Sequence, residues 1–287
     1  MSDPRRPGEV FDEFAEEYDA RRSGYPRELV EQAVELARLE PGSRVVEVGC
    51  GTGKLTQELV ACGLDVDAID PGANMIDVAR RRVGRPEQVR FHLGRFEDVA
   101  LPDGPFDAVF SATAFHWVDP SLGWQRAASL LRPGGTMALI DAVSVRGEDD
   151  GPASAELVAT FNRLVPGNAA ARPADRDIAT IRNGADARRG NASELWAWLA
   201  HPGRETPTAA TLFGSASLTY VTRVVEQTAA GLWALFETTS SHQGLSEPVR
   251  DELRAETERI IDRYGSILRS TQLVALVSSQ RLQAEPG

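Results

Sequence analysis

Apolar positions along the chain switch between two periods, and the switches outline its elements. Between residues 9 and 39 they recur at helical spacing. Phe11, Phe14, Ala15 and Tyr18 form one set; Leu29, Ala33, Val34, Leu36 and Ala37 form a second after Pro26. A helical segment interrupted at Pro26 and closed by Pro41-Gly42 is predicted there. Arg44 to Val48 is a short apolar run that stops in glycines and reads as a buried strand. Helices are then predicted over Leu55–Ala61, Met75–Val83 and Trp124–Leu131. Strands are predicted over Val66–Asp70, Val89–Leu93, Phe106–Ser111 and Thr136–Ala142. Strand alternates with helix through about residue 145. That order implies a parallel sheet covered on both faces, whose ligands sit beyond the carboxyl ends of the strands.

Beyond residue 145 the pattern loosens. Residues 146–152 and 166–192 are rich in Gly, Pro, Asn, Asp and Arg and are read as loops or an irregular insertion. Short helices are predicted over Glu194–Ala200, residues 228–239 and residues 247–264. A β-like stretch is predicted over Ser217–Val225, and a segment in Leu268–Gln280 is suited to rejoining the sheet edge. The chain thus divides on paper into residues 1–40, a core at 41–145, and a cap with closing strands at 146–287.

Composition narrows the class. The chain has 287 residues, 42% hydrophobic, with 42 acidic and 31 basic residues and a net charge of −11. That is enough apolar material for one enlarged domain or two coupled ones, and it excludes a disordered chain. No apolar run approaches the roughly 18–20 residues that span a bilayer. The start, MSDPRRPGEV, lacks the apolar stretch of a secretory signal. With only Cys50 and Cys62, a disulfide framework is not expected, and a cytoplasmic protein that binds no membrane is. The acidic balance disfavours nucleic acid as partner. Lys54 is the only lysine, so nearly all positive charge is arginine. The bland reading is compositional bias; the alternative is bidentate anion recognition.

The sharpest chemical signal is Glu47-Val48-Gly49-Cys50-Gly51-Thr52-Gly53-Lys54, a strand running through alternate glycines into a helix. Glycine there permits positive φ and close approach of a ligand to the main chain. A phosphate-binding P-loop needs an earlier glycine where Val48 stands and a hydroxyl residue where Leu55 stands, so that reading fails. The dinucleotide fingerprint fails by one residue: counted from Gly49, its last glycine falls on Lys54.

The turn resembles motif I of the class I S-adenosylmethionine-dependent methyltransferases. Asp70 at the end of the second strand, Met75, the Gly94-Arg95-Phe96-Glu97 loop, Phe106-Asp107-Ala108-Val109 with Ser111, and Leu131-Arg132-Pro133-Gly134-Gly135 follow in family order. The resemblance implies a Rossmann-like α/β fold: a mostly parallel seven-stranded sheet with helices on both faces and a helical substrate cap. It implies S-adenosyl-L-methionine as cofactor. Glu47, Gly49 and Gly51 would support its amino-acid part, Asp70 its ribose hydroxyls, and Met75, Phe96 and Glu97 the adenine side, with Ser111 beside the fourth strand. The family often places an aspartate directly after the glycine of the third loop; Arg95 stands there instead. Phe11-Asp12, Ala15, Tyr18-Asp19 and Arg22 with Gly24-Tyr25-Pro26 resemble the lid of small-molecule enzymes related to trans-aconitate methyltransferase, which makes Tyr18 and Arg22 cofactor-binding candidates. The alternative is a surface helix with solvated arginines. Arg80-Arg81-Arg82 reads as a solvated helix end.

On the acceptor side, Ala114-Phe115-His116-Trp117 follows the fourth strand. His116 is the candidate catalytic residue, as a base or by positioning the acceptor, against pocket-lining and structural readings. Trp117, Trp196, Trp233 and Phe236 are candidate substrate contacts, though helical aromatics are commonly core. His242 is a further pocket-border candidate, and Arg172, Arg176, Arg182, Arg188 and Arg189 are candidate attractors of an anionic acceptor. The implied function is methyl transfer to a small molecule, an acid or a specialised metabolite, by a monomer or homodimer. The alternatives are a lipid or isoprenoid acceptor, and a scaffold that binds cofactor without transferring methyl.

Overall fold

The computed structural model describes residues 11–84, 87–102, 104–166, 176–239, 242 and 244–283; Arg172 lies outside them. Seven strands form one mixed sheet: β1 (Arg44–Val48), β2 (Asp65–Asp70), β3 (Val89–Leu93), β4 (Phe106–Ala112), β5 (Leu131–Val145), β6 (Ser217–Gln227) and β7 (Leu268–Gln280). Their order is β3-β2-β1-β4-β5-β7-β6, and β1 to β5 pair in parallel. The central strands are buried on both faces. They therefore read as continuous apolar runs such as Val45-Val46 and Val109-Phe110.

The helices preceding and covering this core are α1 (Ala15–Arg21), α2 (Arg27–Leu36), α3 (Lys54–Ala61), α4 (Ala73–Val83) and α5 (Pro120–Leu130). Pro26 separates α1 from α2, as the sequence predicts. Helix α5 starts four residues before Trp124, because Asp119 caps it: its Oδ1 accepts the Ser121 amide at 2.7 Å, and Pro120 fits the first turn. Strand β5 starts at Leu131, ahead of the predicted Thr136. The Pro133-Gly134-Gly135 stretch is taken up where the register shifts from Phe106↔Leu131 to Ala108↔Thr136.

Later helices are α6 (Pro152–Leu164), α7 (Ile178–Asp186), α8 (Ala192–Ala200), α9 (Pro207–Leu212), α10 (Ala229–Glu237) and α11 (Glu247–Arg263). Helix α7 lies inside the stretch read as loop; Ile181, fully buried, and Ala185, one turn on, hold it there. The chain forms two compact units. The first comprises Met1–Ala142, Ala185–Val221 and Val274–Gly287, and the second Val143–Gly184 and Thr222–Leu273. The first unit's main core joins Leu29, Val45, Leu55, Val66, Phe110, Ile140 and Val274. The second has its own small core of Ala153, Ile260, Ile261 and Leu268, with Leu232 packed against it. No helix among the described residues is long and apolar enough to cross a membrane.

Candidate functional site

The turn after β1 is built by its glycines and two buried carboxyls. Gly49 has φ +71°, and a Cβ there would lie 2.3 Å from Ala114 Cβ, so the turn closes tightly on the segment after β4. Gly51 has φ +52°, yet an added Cβ would meet nothing within 4 Å. Its main chain borders open space, as a ligand cradle requires. Asp70 ties this turn to the next: Oδ2 accepts the Gly51 amide and Oδ1 the Gly72 amide, both at 2.8 Å. Burial raises its carboxyl to about 6, against the pull of those two N–H groups. Glu47 lies behind the turn, where Thr56 Oγ1 donates to its Oε2 at 2.6 Å. Burial pushes Glu47 up to about 8, with the Asp70 charge adding to the shift. Cys50 is a buried thiol raised well above its ordinary range by burial, which makes it packing and no nucleophile.

The amino-terminal segment is fastened to this turn. Asp12 Oδ1 accepts the Met75 amide at 3.1 Å at the start of α4, and Asn74 Nδ2 donates to Asp12. Asp19 accepts both from Arg82 Nη2, at 2.6 Å, and pairs with Lys54 at 3.0 Å. Burial opposes charge on Asp19, but hydrogen bonds from Thr52, Lys54 and Arg82 outweigh it and hold the carboxyl below its ordinary range. Arg82 also donates to the Thr52 carbonyl at 3.0 Å. The arginine run at the end of α4 is therefore not merely a solvated end: Arg81 pairs with Glu16 and Arg82 with Asp19. These fastenings place Tyr18 in a cluster with Phe11, Ala15, Met75 and Val78. Arg22 lies over the Tyr18 ring, 5.2 Å from its centroid. Burial raises the Tyr18 hydroxyl pKa, Arg22 opposes that, and the charge on Asp70 reinforces it.

Beyond β4 the chain turns sharply. Thr113 has φ +53°, a strained conformation for a β-branched residue. Its amide is tied to the Ile140 carbonyl at 2.9 Å, and its hydroxyl accepts from Tyr25 at 3.3 Å. This turn presents the short 3₁₀ segment Phe115–Trp117. Trp117 lies 4.7 Å from the His116 ring and 6.2 Å from Phe11, between centroids. His116 stacks on His201 at 4.2 Å with an interplanar angle of 14°. Burial, reinforced by His201, lowers the His116 pKa to about 3. Near neutrality that ring carries no added proton. It is also a poor match to a general base, whose effective pKa lies near the working pH.

In the sequence His201 has a weaker claim than His116 and Asp141 is not singled out, because the two are brought together only by folding. Asp141 Oδ1 lies 2.9 Å from His201 Nε2, and Oδ2 accepts from Trp196 Nε1 at 2.7 Å. Trp196 is 2% exposed and packs on Phe115 and Trp124. Its place is therefore behind the site, holding Asp141, and not on a substrate surface. Phe96 is likewise buried, beside Phe115 and under Arg126. Glu97 Oε1 accepts from Arg95 at 2.8 Å and from the Asp119 amide at 3.1 Å, so that oxygen braces loops. Ser111 Oγ donates to the Val48 carbonyl at 2.8 Å and locks β4 to β1. Trp233 and Phe236 belong to the second unit, where they form an aromatic group with Phe161 and His242. Arg188 lies over Trp198, Arg189 pairs with Asp186, and Arg182 is exposed. The Arg176 carbonyl accepts the Arg146 amide. Among the described residues no group of His, Cys, Asp and Glu is arranged to hold a metal.

Residues 46–139 match the family described as a methyltransferase domain, and the sheet is that of the Rossmann-like class I methyltransferase fold. An uncharacterized methyltransferase of Mycobacterium tuberculosis is 42% identical over 123 residues, 43% of this chain and 48% of its own length. A solved structure of a candidate type II methyltransferase from Anaeromyxobacter dehalogenans matches 92% of this chain and 99% of its own, with a TM-score of 0.59 at 22% identity. The S-adenosylmethionine-dependent methyltransferase of Thiobacillus denitrificans, solved with S-adenosylhomocysteine, matches 98% and 100%, with a TM-score of 0.50 at 15% identity. At these identities the two structures establish the fold. The chain spans about half the length of the curated relatives it matches.

S-adenosylmethionine is the cofactor of this domain class, and the residues present fit it. The open main chain at Gly51 is the kind of cradle that a Cβ would begin to fill. Asp70 offers carboxylate oxygens whose remaining lone pairs suit vicinal hydroxyls. Tyr18 packs with Met75, Arg22 lies over its ring, and the Asp70 charge reaches its hydroxyl.

Proposed function

We propose that the chain transfers a methyl group from S-adenosylmethionine to a small-molecule acceptor by in-line displacement. The observation that carries this reading is Asp70, which bridges the Gly51 and Gly72 amides at the carboxyl ends of β1 and β2 while Gly51 stays open. In this reading Gly49 and Gly51 shape the cradle and Glu47 supports it from behind. Asp70 holds the ribose, Met75 borders the adenine, and Tyr18 and Arg22 close over the amino-acid part. Arg22 then meets the carboxylate, which is the lid arrangement of the trans-aconitate methyltransferase relatives. The bound cofactor supplies an already activated methyl carbon on a positive sulfur.

The chain's own contribution is to align the acceptor and exclude water, which provides roughly 7–11 kcal/mol in favourable cases. Phe115–Trp117 lines the acceptor side. The net charge of −11 supports a small molecule over nucleic acid. Calorimetry with S-adenosylhomocysteine tests the assignment. Wild type binds, and Asp70→Ala loses at least about tenfold in affinity, the equivalent of one lost hydrogen-bonded contact to a charged group. Equal affinity of the two proteins sinks the ribose role.

A further inference from the structure

Asp141 is 4% exposed, and both its oxygens are committed, one to Trp196 and one to His201. An indole nitrogen only donates, so Oδ2 accepts. Oδ1 accepts from His201 Nε2 in the same way, which fixes the proton on Nε2 and leaves the lone pair on Nδ1. This is how a carboxyl sets the tautomer of an imidazole that must accept a proton at its other nitrogen. The His201 ring lies flat on His116, whose Nδ1 is buried with no hydrogen-bond partner. A buried nitrogen left so costs about 1–3 kcal/mol, and such a cost persists where a ligand completes the group. Two imidazoles in stacking contact do not both take a proton readily. The groups acting on His116 are His201 and Asp141 together with Arg204 and Arg22. Of the two rings only His201 has the carboxylate partner that stabilises an imidazolium.

We propose that His201, oriented by Asp141, is the general base of this site, with His116 as a neutral positioning ring stacked against it. The acceptor then carries a proton that it loses on methylation: it is a hydroxyl or an amine, not a carboxylate. The inference rests on methyl transfer as proposed above. The proton passes from the acceptor to His201 Nδ1, and the electron pair of the broken O–H or N–H bond stays on the acceptor atom. That atom bonds to the methyl carbon as the carbon–sulfur bond breaks and its pair remains on sulfur. The imidazolium is balanced by Asp141 and releases its proton to solvent afterwards.

Nitrogen-15 NMR of the histidine-labelled full chain reads the arrangement without an acceptor. The expected spectrum shows His201 with Nε2 protonated and Nδ1 bare. Asp141→Asn is expected to mix the two tautomers. A His201 protonated at Nδ1 overturns the proposal, and this is read on wild type even if the variant fails to fold. Methyl transfer to 3,4-dihydroxybenzoate, which offers phenolic hydroxyls and a carboxylate on one ring, gives a second reading. The expected product is the methyl ether. His201→Gln should slow its formation about 100-fold or more while S-adenosylhomocysteine affinity stays within about twofold. A methyl ester that His201→Gln leaves untouched overturns the base and keeps methyl transfer. Failure of wild type to bind S-adenosylhomocysteine overturns the methyl-transfer reading, whatever the tautomer of His201.

Discussion

Glu47 and Asp70 are both buried carboxyls beside one turn, but their surroundings set different tasks. Asp70 receives two backbone N–H groups and faces the open cradle, whereas Glu47 receives a hydroxyl and sits behind it. The Glu47 carboxyl is raised to about 8 from an unfolded value near 4.5, so the folded state holds a proton that the unfolded state releases. That contribution to stability is fully present below the unfolded value and is lost as pH rises to about 8. Glu47→Gln keeps an acceptor for Thr56 and has no proton to lose. Its melting temperature should gain on wild type between pH 5 and 8.5, by several degrees at the upper end, since each tenfold change in proton affinity is worth about 1.4 kcal/mol. Parallel curves for the two proteins would exclude a protonated Glu47. Both carboxyls are legible in the sequence because each sits at a fixed offset from a strand end and a glycine. Asp141 is not, and His201 carries only a weaker claim than His116, because sixty residues separate the pair.

Among the elements, α1 is held by ions more than by apolar burial. Ala15 is its buried residue, while Asp19 gathers Lys54, Arg82 and Thr52 around one carboxylate. Asp19→Ala should leave two cations facing each other and destabilise the chain by about 1–2 kcal/mol. Amide exchange over residues 15–21 should accelerate at least about tenfold. S-adenosylhomocysteine affinity should fall with it, since α1 carries Tyr18 and Arg22 follows it. Asp12→Ala, which removes a cap from α4, should cost about 1 kcal/mol in chemical denaturation. An unchanged exchange rate in α1 for Asp19→Ala would show that apolar contacts suffice to hold it. The periodicity locates α1 and α4 to within a few residues. It does not reveal what joins them, because an arginine at a helix end looks the same whether it faces water or a carboxylate 63 residues away. Helix α7 escapes the sequence pattern for a related reason: only Ile181 and the small Ala185 are buried, too weak an apolar stripe to stand out among loop-forming neighbours.

For the molecule as a whole, the two units are interleaved in sequence. Residues 185–221, with α8 and α9, group with the cofactor core, although they follow the first segment of the second unit. A reading along the chain assigns stretches, not spatial neighbours, and so places everything after 145 together. The core's strand and helix order is readable because each parallel strand is apolar throughout and each connection carries its own turn residues. The second unit's aromatic group gives the prediction at this scale. Phe236→Ala, which removes contacts to Phe161, Trp233 and His242, should destabilise the second unit by about 2–3 kcal/mol in chemical denaturation. It should leave the Kd for S-adenosylhomocysteine within about twofold. A loss of that affinity would mean that the substitution disturbs the cofactor core.

Gly49 and Gly51 share a sign of φ but differ in what surrounds them, and that difference has a signature in a complete mutational scan. At Gly49 every side chain collides with Ala114 at 2.3 Å, so substitutions there deplete the chain when cells are sorted by protein abundance alone. At Gly51 a side chain enters open space and meets only the modest backbone cost of its positive φ, roughly 1–2 kcal/mol. Its variants should persist under sorting for abundance and vanish only under selection for activity. Two residues of one motif would thus separate into different columns of the same experiment, one marking the fold and the other tracing the outline of the cofactor.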